Sequence, residues 1–267
     1  MVVLPFLGVG IGYRSVLHTP ILQSLPELDF LEVISDSFFR NETPLHALST
    51  LLPCVAHSLD GSVGSHTDPA YVEKVRRIVA AMQAPWHSDH LAFTHAGGLK
   101  AGHLAPIPYN DEALEVVVGN VRRIQAAVPV PFALENITMP FYWPTSTMQE
   151  HEFLSEVVAR TGCHLLLDLE NARINAANHG GDARRFIDNL PLEKVAQVHL
   201  AGGISGSGLE HDSHSEPVGE ATWGLLEYLC QHVRPPAVLV EHDAHFPPFE
   251  ALLQQVRRAR SIVEAAP

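Results

Sequence analysis

The chain has 267 residues, 46% of them hydrophobic, enough to bury a full core without disulfides, so a single domain over residues 1–267 is expected. Thirty acidic residues against 17 basic ones leave a formal charge of −13, which repels phosphate backbones and argues against a nucleic-acid partner. The opening MVVLPFLGVGIGYR lacks the basic start and long apolar stretch of a secretory signal, and no run of about 18 apolar residues follows, so no membrane association and a cytoplasmic location are expected.

Short β-rich runs alternate with stretches of helical spacing, the pattern of βα units on a parallel sheet. In chain order the strands are expected at Leu7–Ile11, Phe30–Ile34, Cys54–His57, Trp86–His90, Pro131–Asn136, His164–Leu169, Ala196–Leu200 and Ala237–Glu241. Apolar residues three and four apart predict helices at Tyr71–Met82, Asp111–Ala127, Met148–Thr161, Ala183–Asn189, Thr222–His232 and Phe249–Ala265, with a weaker one at Pro44–Leu52. Asp111 and Asp182 stand where N-caps are wanted. Gly202–Gly208 (GGISGSG) reads as a mobile loop. Eight strands alternating with helices predict an α/β fold, a single (β/α)8 barrel of the triose-phosphate-isomerase type. Cys54, Cys163 and Cys230 are widely spaced and odd in number, which suits buried small hydrophobes better than a disulfide framework or a CxxC zinc site.

A barrel of this kind places its chemistry at the C-terminal ends of the strands. There the chain carries His57 in VAHSLDGSVGS, His90 in WHSDHLAF, Glu135 in FALENIT, Asp168 in LLLDLENAR with Asn171 one turn on, His199 in VHLAGG, Asp212 and His214 in HDSHSEPVG, and Glu241 in VLVEHDAH. A carboxylate directly after an apolar strand is buried and needs a partner, which a cation supplies. Four carboxylates and four imidazoles exceed what one ion needs and suggest two or three ions with bridging carboxylates. Imidazole with carboxylate and no thiolate favours iron, zinc or manganese, and composition does not choose among them. The remaining histidines of the 17, such as His18, His46, His151 and His232, read as solvated side chains.

GVGIGYR, LDFLEVISDSFF, AHSLDGSVGS, SDHLAF, PIPYNDEAL, LENI, LLLDLEN with the later NHGGD, VHLAG, DSHSEPV and VEHD, in that order and spacing, resemble the motifs of the multinuclear non-heme iron-dependent oxidative enzymes, the methanobactin-oxidase-like group of domain-of-unknown-function 692 type. The resemblance spans about residues 8 to 246. It implies a barrel with two or three Fe(II)/Fe(III) ions, O2 as co-substrate, and oxidation of a residue, cysteine above all, in a ribosomally made precursor peptide. The ligands it implies are His57, His90, Glu135, Asp168, Asn171, His199, Asp212, His214 and Glu241. It also implies a small partner protein that captures the leader peptide.

Two departures stand out. Gly203 occupies a position where many members carry a second histidine, and ISDS with Asp36 replaces a motif with glutamate-asparagine. Tyr13, Arg14, Asp36, His242 and Asp243, at the ends of strands one, two and eight, have no ligand duty and are candidates for substrate contact or proton transfer, with His103 a lesser one. A zinc or manganese hydrolase or sugar isomerase on the same barrel is the alternative. The lack of a basic groove speaks against a nuclease, and the absence of a lysine beside the carboxylates against a sugar isomerase.

Overall fold

The computed structural model describes residues 3–266. Eight strands, β1 (Gly8–Tyr13), β2 (Leu31–Ile34), β3 (Cys54–His57), β4 (His87–His90), β5 (Phe132–Glu135), β6 (His164–Asp168), β7 (Val195–Leu200) and β8 (Ala237–Val240), close into a barrel in the order β1-β8-β7-β6-β5-β4-β3-β2. Every pairing is parallel. Among the described residues nine helices surround it: α1 (His18–Gln23), α2 (Thr43–Leu51), α3 (Pro69–Met82), α4 (Asp111–Ala127), α5 (Glu150–Thr161), α6 (Leu169–His179), α7 (Ala183–Asp188), α8 (Glu220–Cys230) and α9 (Phe249–Glu264). None of them is long and apolar enough to cross a membrane.

All eight expected strands lie in the barrel, each within a few residues of its predicted span. The predicted helices are present too, including the weak one, now α2. Asp182 caps α7 by accepting from the amides of Arg184 and Arg185. The cap of α4 is Asn110 rather than Asp111, because Asn110 has the extended backbone of a cap and its side chain accepts from Ala113 N. Asp111 is instead the first helical residue, where its charge complements the helix dipole.

Two hairpins were not foreseen. Phe93–Ala96 pairs with Leu99–Ala105 after β4. Ile204–Gly206 pairs with Leu209–His211 after β7, where a mobile loop was expected. The second is pinned to α6, since Asn178 accepts from the amide of Glu210 and donates to its carbonyl, and Arg173 contacts its carboxylate. The helix α6 was also unforeseen; it starts directly after β6, capped by Asp168. All three cysteines are buried and free, as expected.

The two-residue period of a strand explains how the site is carried. The barrel floor is an apolar plug that includes Phe30, Val55, Trp86, Leu239, Ala133 and Leu166. Two residues on, in the same inward direction, stand Glu32, His57, Ser88, Glu241, Glu135 and Asp168; His90 follows Ser88 by another two. Gln197 and His199 form the same kind of pair on β7, after a register shift against β6. Backbones approach closely at the floor: a Cβ on Gly10 would run into the Phe30 carbonyl oxygen, so only glycine fits there.

Candidate metal centre

Side chains from β3, β4 and β5 meet first. His57 Nε2 and His90 Nε2 lie 3.4 and 3.2 Å from Glu135 Oε2. The Nδ1 of His57 is engaged with Ser88 Oγ at 2.8 Å, which leaves Nε2 for a ligand role. The other oxygen of Glu135, Oε1, is 3.3 Å from His199 Nδ1, and Glu241 Oε2 is 3.0 Å from that same nitrogen. Glu135 therefore faces two positions, one with each oxygen.

Asp168 is shared in the same way. Its ligand atoms group within 4.8 Å with those of Glu135 and His199, and again with those of His214 and Glu241. Asp212 Oδ1 lies 2.6 Å from His214 Nε2. Asn171, one turn into α6, donates its Nδ2 to the Asn136 carbonyl, which leaves its Oδ1 free.

Hydrogen-bond accounting tests whether cations fit. Glu135 Oε2, Asp168 Oδ2, Asn171 Oδ1, His199 Nδ1, Asp212 Oδ1 and His214 Nε2 are all buried without a hydrogen-bond partner. Each such group costs about 1–3 kcal/mol if it stays unpaired, and native proteins tolerate only a few per 100 residues. All six are atoms that a cation can satisfy. The donor set, oxygen and imidazole nitrogen without sulfur, suits a first-row divalent metal.

The titration behaviour agrees. Burial holds the His57 pKa well below the ordinary histidine value, with His90 and His199 adding to the effect. Burial opposes charge on His90, His199 and His214 too, yet neighbouring carboxylates win. Glu135 and Asp89 raise His90 to about 9. Glu32, Glu241 and Glu135 hold His199 well above its ordinary value, and Glu241, Asp212 and Asp243 do so for His214. Burial, with Asp212 and Glu135, drives Asp168 well above the carboxylate range, while Glu241, against its own burial, is held well below it by His214 and His199. Protons thus stand where cations fit.

Of the other sequence candidates, the structure brings Arg14 and Asp243 to this cluster. Arg14 Nη2 donates to Glu241 Oε1 at 3.0 Å and its Nε to Asp243 Oδ1 at 2.7 Å, while Asp243 Oδ2 lies 3.2 Å from His214 Nδ1. The rest turn elsewhere. Asp36 accepts from the Tyr71 hydroxyl and the Leu59 amide, and so anchors the loop after β3. The Tyr13 hydroxyl meets His18 Nδ1, His242 packs on Phe246, and His103 is exposed on the first hairpin. A histidine does not fit at position 203, because a Cβ there would lie 2.5 Å from the His211 carbonyl oxygen.

Sequence reasoning missed Glu32. It is fully buried on β2, with Oε2 2.9 Å from His199 Nε2, and it groups with His199 and Glu241 as a possible cation cluster. The signal was available: a carboxylate in the middle of an apolar run, two residues after a floor residue.

A sequence profile described as RiPP precursor modification enzyme MbnB/TglH/ChrH, where RiPP denotes a ribosomally synthesised and post-translationally modified peptide, matches residues 8–264. The chain belongs to this family. Among its relatives is a UPF0276 protein of Caulobacter vibrioides, 35% identical over 98% of this chain and 96% of the relative. Solved structures share the fold at low identity. Endonuclease IV from Thermus thermophilus superposes with a TM-score of 0.62 at 17% identity, covering 97% of this chain and 100% of that one. E. coli 3-keto-D-glucoside 4-epimerase gives 0.62 at 13%, covering 96% and 99%. As a member of the MbnB/TglH/ChrH family of RiPP enzymes, the chain has a precursor peptide as its implied substrate, and its His, Asp and Glu clusters sit at the C-terminal ends of the barrel strands.

Proposed function

We propose that the chain is a multinuclear non-heme iron enzyme that uses O2 to oxidise a residue, cysteine in the first place, of a ribosomally made precursor peptide in the cytoplasm. The observation that carries the metal part of this reading is the convergence of orphaned oxygen and nitrogen atoms at the strand ends. The peptide part rests on the family.

Three ion positions are proposed from the groups of ligand atoms that lie within 4.8 Å of one another, with Asp212 and Asn171 added for their orphaned oxygens. His57, His90 and Glu135 would hold one, His199, Glu135, Glu241 and Asp168 a second, and Asp168, Asn171, Asp212 and His214 a third. Bound there, iron supplies the electron transfer and dioxygen activation that side chains cannot. The chain's own residues do the positioning. Arg14 takes up Glu241 Oε1, so that carboxylate turns Oε2 alone toward the centre. Asp243 holds His214 through Nδ1 and, 40% exposed, stands at the rim of the cluster as the candidate contact for a peptide. A floor of apolar side chains closes the other end of the barrel to water. A small leader-binding partner protein completes the proposal.

The experiment is metal analysis of protein purified without oxygen, with Mössbauer spectra of an iron-57 sample. Two or three irons per chain support the oxidase; stoichiometric zinc or manganese without iron redirects the function to hydrolysis or isomerisation.

A further inference from the structure

We infer that Glu32 is the residue that dictates which imidazole nitrogen His199 offers to the centre: it holds the Nε2 proton and so turns the Nδ1 lone pair toward the ions. This rests on the reading of the cluster as a metal centre and goes beyond it to a positioning residue that is itself no ligand.

Glu32 reaches across the barrel interior from β2 to β7. Its Oε2 lies 2.9 Å from His199 Nε2 and 2.5 Å from Gln197 Nε2. The orientation of the Gln197 amide is fixed by Trp86, whose indole N–H can only donate and does so to Gln197 Oε1 at 2.9 Å. The amide nitrogen of Gln197 therefore faces Glu32. It also lies 2.9 Å from His199 Nε2. A carboxylate oxygen only accepts, so the His199 Nε2 that lies 2.9 Å from Glu32 Oε2 carries a proton; it and the Gln197 nitrogen are both donors, do not bond to each other, and converge on the one oxygen. Proton on Nε2 and lone pair on Nδ1 is the arrangement that satisfies all three groups.

The other ring nitrogen has the complementary environment. His199 Nδ1 is buried, has no hydrogen-bond partner and faces Glu135 Oε1 and Glu241 Oε2. This is the carboxylate–histidine–metal relay in which the outer partner sets ring orientation and ligand basicity. Glu32 Oε1 is also buried and unpartnered, which a direct ligand would show as well. Its Oε2, however, already accepts from Gln197 Nε2 and His199 Nε2, on the side of the ring away from Glu135 and Glu241. Trp86, Gln197 and Glu32 thus form a rigid chain from the apolar floor to the middle of the centre.

Two measurements decide. In the zinc-loaded protein with 15N-labelled histidine, ring-nitrogen correlations of His199, assigned by their loss in His199→Ala, are expected to show the proton on Nε2 and the metal on Nδ1; metal on Nε2 overturns the inference. In anaerobic titrations with Fe(II), Glu32→Gln is expected to take up as many ions as the wild type with one of them bound about 10–100-fold more weakly. Loss of a whole ion in that variant would make Glu32 a ligand, and wild-type affinity would deny it any role; either result overturns the inference while leaving the metal centre standing. A wild-type chain that takes up no ion overturns both.

Discussion

Asn136 and Asp168 hold each other reciprocally: the Asn136 amide donates to the Asp168 carbonyl and accepts from the Asp168 backbone N–H, both at 2.9 Å. The pair joins the end of β5 to the end of β6, directly beside the Glu135 and Asp168 carboxylates, each of which belongs to two of the clusters of candidate ligand atoms. Glu135 precedes Asn136, and the Asp168 side chain hangs from the residue being held. The two carboxylates are therefore held beside each other by buried hydrogen bonds from the Asn136 side chain to the Asp168 backbone, which do not depend on any ion.

Replacing Asn136 by alanine removes both bonds and leaves a buried carbonyl and amide unpaired. The expected loss is about 2–4 kcal/mol of stability, read from urea unfolding of the metal-free protein. Fewer ions should also be retained after gel filtration. Full retention of ions in a destabilised variant would show that the pair is a stability element without a part in spacing the ligands.

Glu135 faces His57 and His90 with one oxygen and His199 with the other, whereas His90 meets only the first of these oxygens. Glu135→Ala should therefore cost more ions than His90→Ala, about two against about one per chain by elemental analysis. Circular dichroism should report a folded barrel in both, because neither side chain belongs to the apolar floor or the helix-facing core. Equal losses would argue against a bridging Glu135.

How much of this was legible beforehand depended on burial and direction. The strands were legible because each is a short apolar run, and the candidate ligands that the structure gathers at the strand ends because a charge ends the run, as in LLLD and VLVE. The hairpin in FTHAGGLKAGHLA was not, since its residues are polar, glycine-rich and largely exposed. The helix LENARINAANH lacks a clear apolar stripe and begins without a linker after β6, so its first residues looked like strand. Among the rim candidates the sequence could not separate Asp243 from His242, because consecutive residues after a strand end face opposite ways and only the turn decides which faces the mouth. Glu32 escaped because a charge inside a strand, rather than after one, was passed over.

Ion uptake should release protons and strengthen as pH rises. His90, with a pKa near 9, and His199 and His214, both raised well above the ordinary value, are charged at neutral pH when no ion is present. Each must give up a proton at its ligand nitrogen to bind. Below the raised values binding competes with protons, so apparent affinity climbs through neutral pH and levels off only once those values are passed. Isothermal titration with Zn(II) in buffers of different ionisation enthalpy counts the protons; none released at pH 7 would contradict the raised values.

Gly203 sits under the second hairpin with its hydrogen positions facing the His211 carbonyl and the Glu170 carboxylate. Any side chain there pushes on the segment that leads into Asp212 and His214. Gly203→Ala should lose about 1–3 kcal/mol through overpacking and weaken the third ion position selectively, visible as one loose ion in a stepwise chelator titration. A uniform loss of all ions would point to global unfolding instead.

Glu150 begins α5 outside the metal centre, 8% exposed, with Oε1 unpartnered and Oε2 only 3.4 Å from an Asn175 amide donor. Burial pushes its pKa up to about 8. A carboxyl whose folded pKa lies above its unfolded value binds its proton more tightly when folded, so it destabilises the fold as pH rises from about 4.5 to about 8 and by a constant amount above that. Glu150→Gln keeps the shape and removes the ionisation. The variant should match the wild type near pH 4, gain on it through the window, and lead by about 5 kcal/mol at pH 9, in urea unfolding of both proteins held free of metal. A difference that does not change with pH would mean that Glu150 ionises in the fold as readily as in the unfolded chain, and that the Asn175 contact or the positive end of the α5 dipole compensates its burial.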